Sequence, residues 1–550
     1  MPLSSNLPDI DIPETSLFEF LFGEIEPRHQ DKLAIVDSGS EVTFGDLKAS
    51  IEKFAGALAA RGIKKGDVVA LHCPNSTTFA VALHGVLRAG AVCTTVASLA
   101  TAEDIENQLR MSDAKMMLTT SSIGWAGAHG AEAAGLPEEM IIGLTGLHGM
   151  GELLAEGHAA PDVDVSPDDV AVIPFSSGTT GVPKGVQLTH RNLVANVAQA
   201  GGATVNALTE DTPAVTILPF FHIYGLTALL NLCLWRRTTQ YTMGKFDLVD
   251  FLSIIAEHKV KFAFIAPPVA VGLAKHPAVD SFDLSSLETI FSGAASLQLD
   301  LAEQVEKRLD CVVAQGFGMT ESSPAAHIRI GHDSPLDSIG RAVPNTQYKI
   351  VNLDSDSFEE IPVPAEGRSE AGELWIHGPQ VMKGYLNNPK ATAETLVDGW
   401  LRTGDVAELD EHGNVYIVDR FKELIKYKGY QVPPAELESV LLSHPDIADA
   451  ACSGVVRSDG EEIPKAYVVL KAGEQVTEDE IMDYVADRVA PYKKVRAVEF
   501  MDEIPKSATG KILRKDLKAM EAARAQSWVT APGVTATVTE PGAISVNPAS

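Results

Sequence analysis

GDVVALHCPNSTTFAVALHGVLRAGAVCTTVA, residues 66–97, carries the pattern that decides the fold. GDVVALHCP (66–74) is an apolar run closed by proline and predicts a strand. TFAVALHGVLRAG (78–90) predicts a buried helix that ends at Gly90. AVCTTVA (91–97) predicts the next strand. Similar runs recur at VAVIPFS (170–176), HRNLVANVAQA (190–200), AVTILP (214–219) and KFAFIAP (261–267). Strand–helix alternation of this kind implies an α/β architecture with largely parallel sheets.

Outward from that core the texture changes. From about 340 to 420 short strands and turns, including GELWIHG (372–378) and GNVYIVD (413–419), predict a small β-rich subdomain. A boundary is expected near Asp419–Lys422, because 550 residues exceed what one hydrophobic core normally serves. The expected division is a large body (1–420), a compact α+β block (421–520) and a disordered tail (521–550) rich in Thr, Pro, Gly and Ala.

Apolar residues make up 45% of the chain and charged residues 21%, a balance that excludes disorder as the main state. With 74 acidic and 44 basic residues the formal net charge is −30. An acidic surface argues against nucleic-acid partners and against docking on an anionic membrane. Residues 421–520 are nearly balanced, with 15 basic and 18 acidic side chains, so most of the negative charge lies in the body. The N-terminal MPLSSNLPDIDIPETSLFEF lacks the basic region and apolar core of a secretory signal. Phe79–Leu99, the longest weakly charged stretch, is interrupted by His84 and Arg88, so no membrane span is expected. Cys73, Cys93, Cys233, Cys311 and Cys452 are too scattered for a zinc site or a disulfide framework, which points to reduced thiols in the cytoplasm.

The sharpest local signal is PFSSGTTGVPKGVQLTHRN (174–192). It reads as a strand, a loop dense in hydroxyls and glycines, a lysine and then a helix. Gly178, Gly181 and Gly185 permit close backbone approach. Ser176, Ser177, Thr179, Thr180 and the cation of Lys184 suit a polyphosphate. A Walker A loop would end in Gly-Lys-Ser/Thr, whereas Pro183-Lys184-Gly185 stands here, so an ordinary P-loop NTPase is disfavoured.

SSGTTGVPKG resembles the signature loop of the adenylate-forming superfamily, which comprises acyl-CoA synthetases, amino-acid adenylation domains and beetle luciferases. QGFGMTE (315–321), GWLRTGD (399–405), VDRFKELIKYKGYQVPPAELE (418–438) and PKSATGKILR (505–514) follow in that family's order. The resemblance covers about residues 30–520 and is strongest to 4-coumarate–CoA ligases and related aryl- or acyl-CoA ligases, through FFHIYGL and KELIKYKGYQVPPAE.

That resemblance implies a large adenylating domain followed by a small mobile lid. The implied reaction is attack of a carboxylate on the α-phosphate of ATP, release of pyrophosphate, and displacement of AMP by the thiol of coenzyme A. The loop through Ser176, Ser177, Gly178, Thr179, Thr180 and Lys184 would hold the β- and γ-phosphates. Phe317 would supply an aromatic face for the adenine, standing where many relatives have tyrosine, and Gln315 and Gly316 beside it would belong to the cofactor site. Thr320 and Glu321 would lie by the α-phosphate, Glu321 contacting Mg²⁺. Asp405 and Arg420 would hold the ribose. Lys511 resembles the adenylation lysine, Lys426 and Gln431 resemble residues serving the adenylate or thioester step, and Lys422 occupies the hinge position. Lys245, Lys428 and Gly429 match contacts of coenzyme A. His222, Tyr224, Ala228, Gly293, Ala294, Gly316, Gly318, Pro324 and Ala325 would line the acyl pocket.

Read alone, Lys511 belongs to a solvated basic face and His222 to a satisfied core; within the family they become a catalytic lysine and a gate over the carboxylate. Ala228 offers no hydrogen bond to a ring hydroxyl, where coumarate ligases often carry a small polar residue. The expected substrate is a cinnamate-like or other aryl acid, or a medium-chain fatty acid, handled by a monomer or homodimer. Loading of a carrier protein or a luciferase-like reaction is the alternative. An amino-acid adenylation domain would normally carry an acidic residue after the aromatic pair, where His222 follows Phe221.

Overall fold

The computed structural model describes residues 2–145, 149–176, 183–204, 207–295, 297, 299–329, 334–353, 357–421, 423–428, 430–457, 462–507, 510–529, 534–540 and 543–548, with the backbone alone at 430, 431 and from 522 on. The chain forms two compact units. One comprises Met1–Lys349, Trp375–Thr403 and His412–Val415; the other comprises Ile350–Leu374, Gly404–Glu411 and Tyr416–Ser550. The short-strand stretch from about 340 to 420 is thus shared between them.

Two large sheets lie in the first unit. The opening motif becomes Val68–His72, helix Thr77–Arg88 and Val92–Thr95, the two strands pairing in parallel. Ser76 caps the helix by accepting the Phe79 N–H at 3.2 Å, and Gly90 takes the left-handed conformation (φ 76°) that ends it. Phe79, Leu83 and Val86 of the helix are fully buried, so burial rather than capping dominates its stability. The sheet continues through Met116–Thr119 and Ile141–Gly143 on one side and Val170–Val172, Lys184–Thr189 and Gly384–Tyr385 on the other. A nine-stranded sheet carries parallel Gln240–Thr242, Ala214–Thr216, Phe262–Ile265, Thr289–Ser292 and Val312–Gly318, then turns antiparallel at Ala325–Arg329. One apolar cluster joins side chains of both sheets, including Leu71, Val186, Val215 and Phe262.

The sequence expectation is corrected at the glycine-rich loop. Lys184 opens a strand, Lys184–Thr189, and the helix His190–Ala203 begins only after it. Gly185, Val186, Leu188 and Thr189 are buried, and the run is a strand because it pairs antiparallel with Val170–Val172 on one side and with Gly384–Tyr385 on the other. Thr189 closes a capping box with Asn192, while the N–H groups of His190 and Arg191 donate to the carbonyls of Asp169 (3.1 Å) and Pro167 (2.7 Å).

In the second unit, Ile447–Val456, Glu462–Leu470 and Ala497–Phe500 form a three-stranded sheet with helices Pro434–Leu442 and Glu478–Ala486. Leu437, Leu441, Val468, Ile481 and Val485 share its core. Composition predicts no order for 521–550. The backbone there continues the helix Arg514–Val529 and pairs Val534–Glu540 with Ala543–Pro548, where valine and threonine alternate. All five cysteines are free, and among the described residues no helix is long and apolar enough to cross a membrane.

Candidate active site

The glycine-rich loop is held at its base by a short antiparallel ladder, in which Ser176 faces Lys184 and Phe175 faces Gly185. Ser177, Gly178, Thr179 and Thr180 lie outside the described residues. Gly185 is needed for close packing: a Cβ there would stand 3.0 Å from Ile173 and 3.1 Å from the Phe175 ring. The Lys184 ammonium lies 4.7 Å from the centroid of the Tyr385 ring, a cation–π contact.

Glu321 sits in the short 3₁₀ turn Thr320–Ser322 that follows the strand Val312–Gly318, and its side chain is buried. Its carboxylate accepts the Tyr385 hydroxyl at 2.7 Å, and its carbonyl accepts the Met382 N–H at 2.8 Å. Burial, and then the Glu321 charge, push the Tyr385 hydroxyl well above the usual phenol range, so it stays a donor. Lys184, Tyr385 and Glu321 therefore form one line of contacts. Sequence reasoning missed Tyr385, although KGYLNNP (383–389) shows a tyrosine between a glycine and a turn.

Phe317 presents a half-buried ring, packed edge-on to His327 at 6.3 Å. His327 is fully buried, and burial lowers its pKa to about 3, so it is a neutral support. Gln315 is committed structurally: its amide donates to the carbonyls of Leu336 (2.6 Å) and Ser338 (2.9 Å).

Tyr224 and Ala228 lie on a π-helical segment, Tyr224–Asn231, a rare geometry that recurs at functional sites. A Cβ on Gly293 would stand 2.8 Å from the Tyr224 ring, and one on Gly316 would stand 2.8 Å from the Phe291 ring. The Tyr224 hydroxyl, raised in pKa by burial, faces the Phe291 carbonyl at 3.4 Å. Tyr224, Phe291, Gly293 and Gly316 thus meet at the ends of parallel strands, an apolar wall in which Phe291 was not foreseen. Ala294 adopts a positive φ of 72°, uncommon for alanine. On the other side of Gly316, a Cβ at Gly318 would meet the Pro324 carbonyl at 2.2 Å. Ala325 is held by two hydrogen bonds to Asn196, at 3.0 and 2.8 Å. His222 accepts the Tyr224 N–H at Nδ1 (3.4 Å). Lys245 is exposed ahead of the helix Leu248–His258.

The second unit gathers three motifs into one charged cluster. Asp405 is buried and pairs with Arg420 at 3.1 Å. Burial raises its pKa, opposed by the charges of Arg420 and Lys511. Lys511 is held below the ordinary lysine range by burial and by Arg420, against the attraction of Glu423 and Asp405. Arg514, three residues on, donates to Glu423 (2.7 Å) and Glu438 (2.6 Å) and to the Cys452 carbonyl (3.1 Å). Asp419 accepts the Arg420 and Ala435 N–H groups, at 2.7 and 2.8 Å. Lys426 is exposed and faces Gln431 across a hairpin, while Lys428 takes a φ of 49° with its ammonium 5.4 Å from the Tyr427 ring centroid. Lys422 and Gly429 lie outside the described residues.

Family models described as AMP-binding enzyme and AMP-binding enzyme C-terminal domain match residues 24–386 and 436–511. A 4-coumarate–CoA ligase 5 of Oryza sativa subsp. japonica is 41% identical over 538 residues, covering 94% of this chain and 97% of its own. ATP-bound MatB from Rhodopseudomonas palustris is 26% identical with a TM-score of 0.83, covering 93% of this chain and 100% of its own. The o-succinylbenzoate coenzyme A synthetase of Bacillus subtilis, in complex with ATP and magnesium ion, is 28% identical with a TM-score of 0.79. It covers 92% of this chain and 100% of its own.

Proposed function

Because the chain belongs to the AMP-binding enzyme family, we propose that it is an acid–thiol ligase that joins a hydrophobic, cinnamate-like carboxylic acid to coenzyme A through an acyl-adenylate. ATP is cleaved to AMP and pyrophosphate in the first half-reaction, and the thiol displaces AMP in the second. The observation that carries this reading is the clustering of Asp405, Arg420 and Lys511, which come from three separate motifs.

The chemistry is mostly positioning and charge neutralisation. Lys511 contributes a cation where negative oxygens crowd as the carboxylate meets the α-phosphate. Asp405, with two acceptor oxygens, suits the ribose hydroxyls, and the charge of Arg420 opposes the rise that burial imposes on its pKa. Lys184 is assigned to the outer phosphates, and the Phe317 ring to the adenine face. The buried carboxylate of Glu321 is a hard oxygen donor that fits Mg²⁺, and such an ion would neutralise phosphate charge there. Lys426, Gln431, Lys428 and Lys245 are assigned to the thioester step.

An aromatic acid is preferred because Tyr224, Phe291, Gly293 and Gly316 offer an apolar wall, and because the rice relative is named for a hydroxycinnamate. Cytoplasmic location completes the proposal and agrees with five free cysteines. The test is release of AMP and pyrophosphate, dependent on both acid and coenzyme A, across cinnamates, benzoates and fatty acids of six to twelve carbons. Release of ADP, or no pyrophosphate exchange with any of these acids, would overturn the reaction. A clear preference for the fatty acids would overturn the aromatic assignment alone.

A further inference from the structure

One short segment connects the two charges assigned to the phosphates and the metal. On one side, residues 382–386 are stitched to the strand that Lys184 opens. Lys383 N–H donates to the Gln187 carbonyl (3.0 Å), Leu386 N–H donates to the Gly185 carbonyl (2.8 Å), and Tyr385 pairs with Val186 in antiparallel register. On the other side, Met382 N–H holds the Glu321 carbonyl. Within the segment, the Tyr385 N–H is taken by Thr392 Oγ1 at 2.9 Å, which fixes the backbone under the ring. Gly384, with φ 150°, lets the segment pass Thr392, where a Cβ would come within 2.9 Å of its methyl group.

The Tyr385 side chain closes the gap. Its ring face lies under the Lys184 ammonium, and its hydroxyl donates to Glu321 Oε1. A tyrosine does both tasks because one end is a π surface and the other a donor. A hydrogen-bonded carboxylate keeps its second oxygen aimed in one direction, which is how outer partners orient metal ligands. We propose that Tyr385 is a positioning residue that aims the Glu321 carboxylate at the metal of a metal–ATP complex while fixing the Lys184 ammonium relative to it. This rests on the assignment of Lys184 to phosphate and Glu321 to Mg²⁺.

The test is calorimetric binding of ATP to the full-length chain without any carboxylic acid, so that no turnover occurs. Affinity is measured with Mg²⁺ and again with a chelator, and the ratio is the metal's contribution. Tyr385→Phe keeps the ring and loses the donor. It is expected to reduce that ratio by about 10–100-fold while leaving metal-free ATP affinity unchanged. Tyr385→Leu removes the ring as well and should also weaken metal-free ATP binding through Lys184. Glu321→Gln should reduce the ratio, and adding Tyr385→Phe to it should cost nothing more. If Glu321→Gln leaves the ratio intact, the metal assignment itself fails. If Glu321→Gln lowers it and Tyr385→Phe does not, only the role of Tyr385 falls. Loss of metal-free binding in Tyr385→Phe would also overturn the proposal, because it would mark a general structural part.

Discussion

Arg514→Leu tests the charged cluster of the second unit most directly. Arg514 and its partners Glu423 and Glu438 are only 12%, 17% and 10% exposed, so both carboxylates depend on the guanidinium for compensation. Removing one member of a buried ion pair costs about 3–5 kcal/mol, because a charge is left without its partner. Glu438 retains the Cys452 N–H at 2.8 Å, which places the expected loss near the lower end, at about 3 kcal/mol. For a unit of roughly 150–250 residues each kcal/mol moves the transition by about 2–4 °C, so the midpoint should fall by about 6–12 °C in scanning calorimetry.

The loss has a definite pH dependence. Burial already holds the Glu438 carboxyl above its ordinary range, and Arg514 opposes that rise. Without Arg514 the rise is larger. A carboxyl whose folded pKa exceeds its unfolded one takes up a proton on folding, so its penalty is present at higher pH and fades on acidification. The gap between variant and parent should therefore narrow from about pH 7.5 to 5. Arg514→Leu combined with Glu438→Gln should recover most of the loss at neutral pH. A destabilisation under about 1 kcal/mol, or a gap that widens on acidification, would refute the argument that these carboxylates are effectively buried.

Lys511→Ala should lower acid-dependent pyrophosphate exchange by about 10²–10³-fold while thioester formation from preformed acyl-adenylate survives; equal loss of both steps contradicts the assigned role. Because burial and Arg420 hold Lys511 below the ordinary lysine range, exchange should decline on the alkaline side earlier than a solvated lysine would allow. Lys511→Arg, charged throughout, should flatten that limb in a pH–rate profile, whatever its effect on the maximum. Ala228→Ser places a hydroxyl on the π-helical segment that carries Tyr224 and should raise kcat/KM for ring-hydroxylated cinnamates over cinnamate by roughly tenfold, with little change in KM for ATP.

Legibility in the sequence followed the range of the contacts involved. The unit at 66–97 was readable because its strands, its buried helix and its stop at Gly90 are local features. The stretch after Lys184 misled because glycines and hydroxyls before a lysine suggest a helix start, whereas sheet pairing takes residues 184–189 into a strand. Asp405, Arg420 and Lys511 were legible as motif positions, and the structure groups them. Tyr385, Phe291 and Arg514 were missed because each acts across a large sequence separation: Tyr385 meets Glu321 64 residues away, and Arg514 meets Glu423 91 residues away. Gln315 carries a second task that its motif did not suggest: its amide nitrogen donates to two backbone carbonyls.

The start of the helix at His190 has a consequence for the phosphate role proposed for the glycine-rich loop. In loops that run straight into a helix, unpaired N–H groups share the work of holding an anion. Here the first three helical N–H groups are already taken, by Asp169, Pro167 and Thr189. The helix therefore has no spare donors for a polyphosphate, and the strand between it and Lys184 keeps them six residues apart in the chain. A neutral substitution at Lys184, proposed above to meet the outer phosphates, would remove a charge for which the N–H groups of the helix end are no substitute.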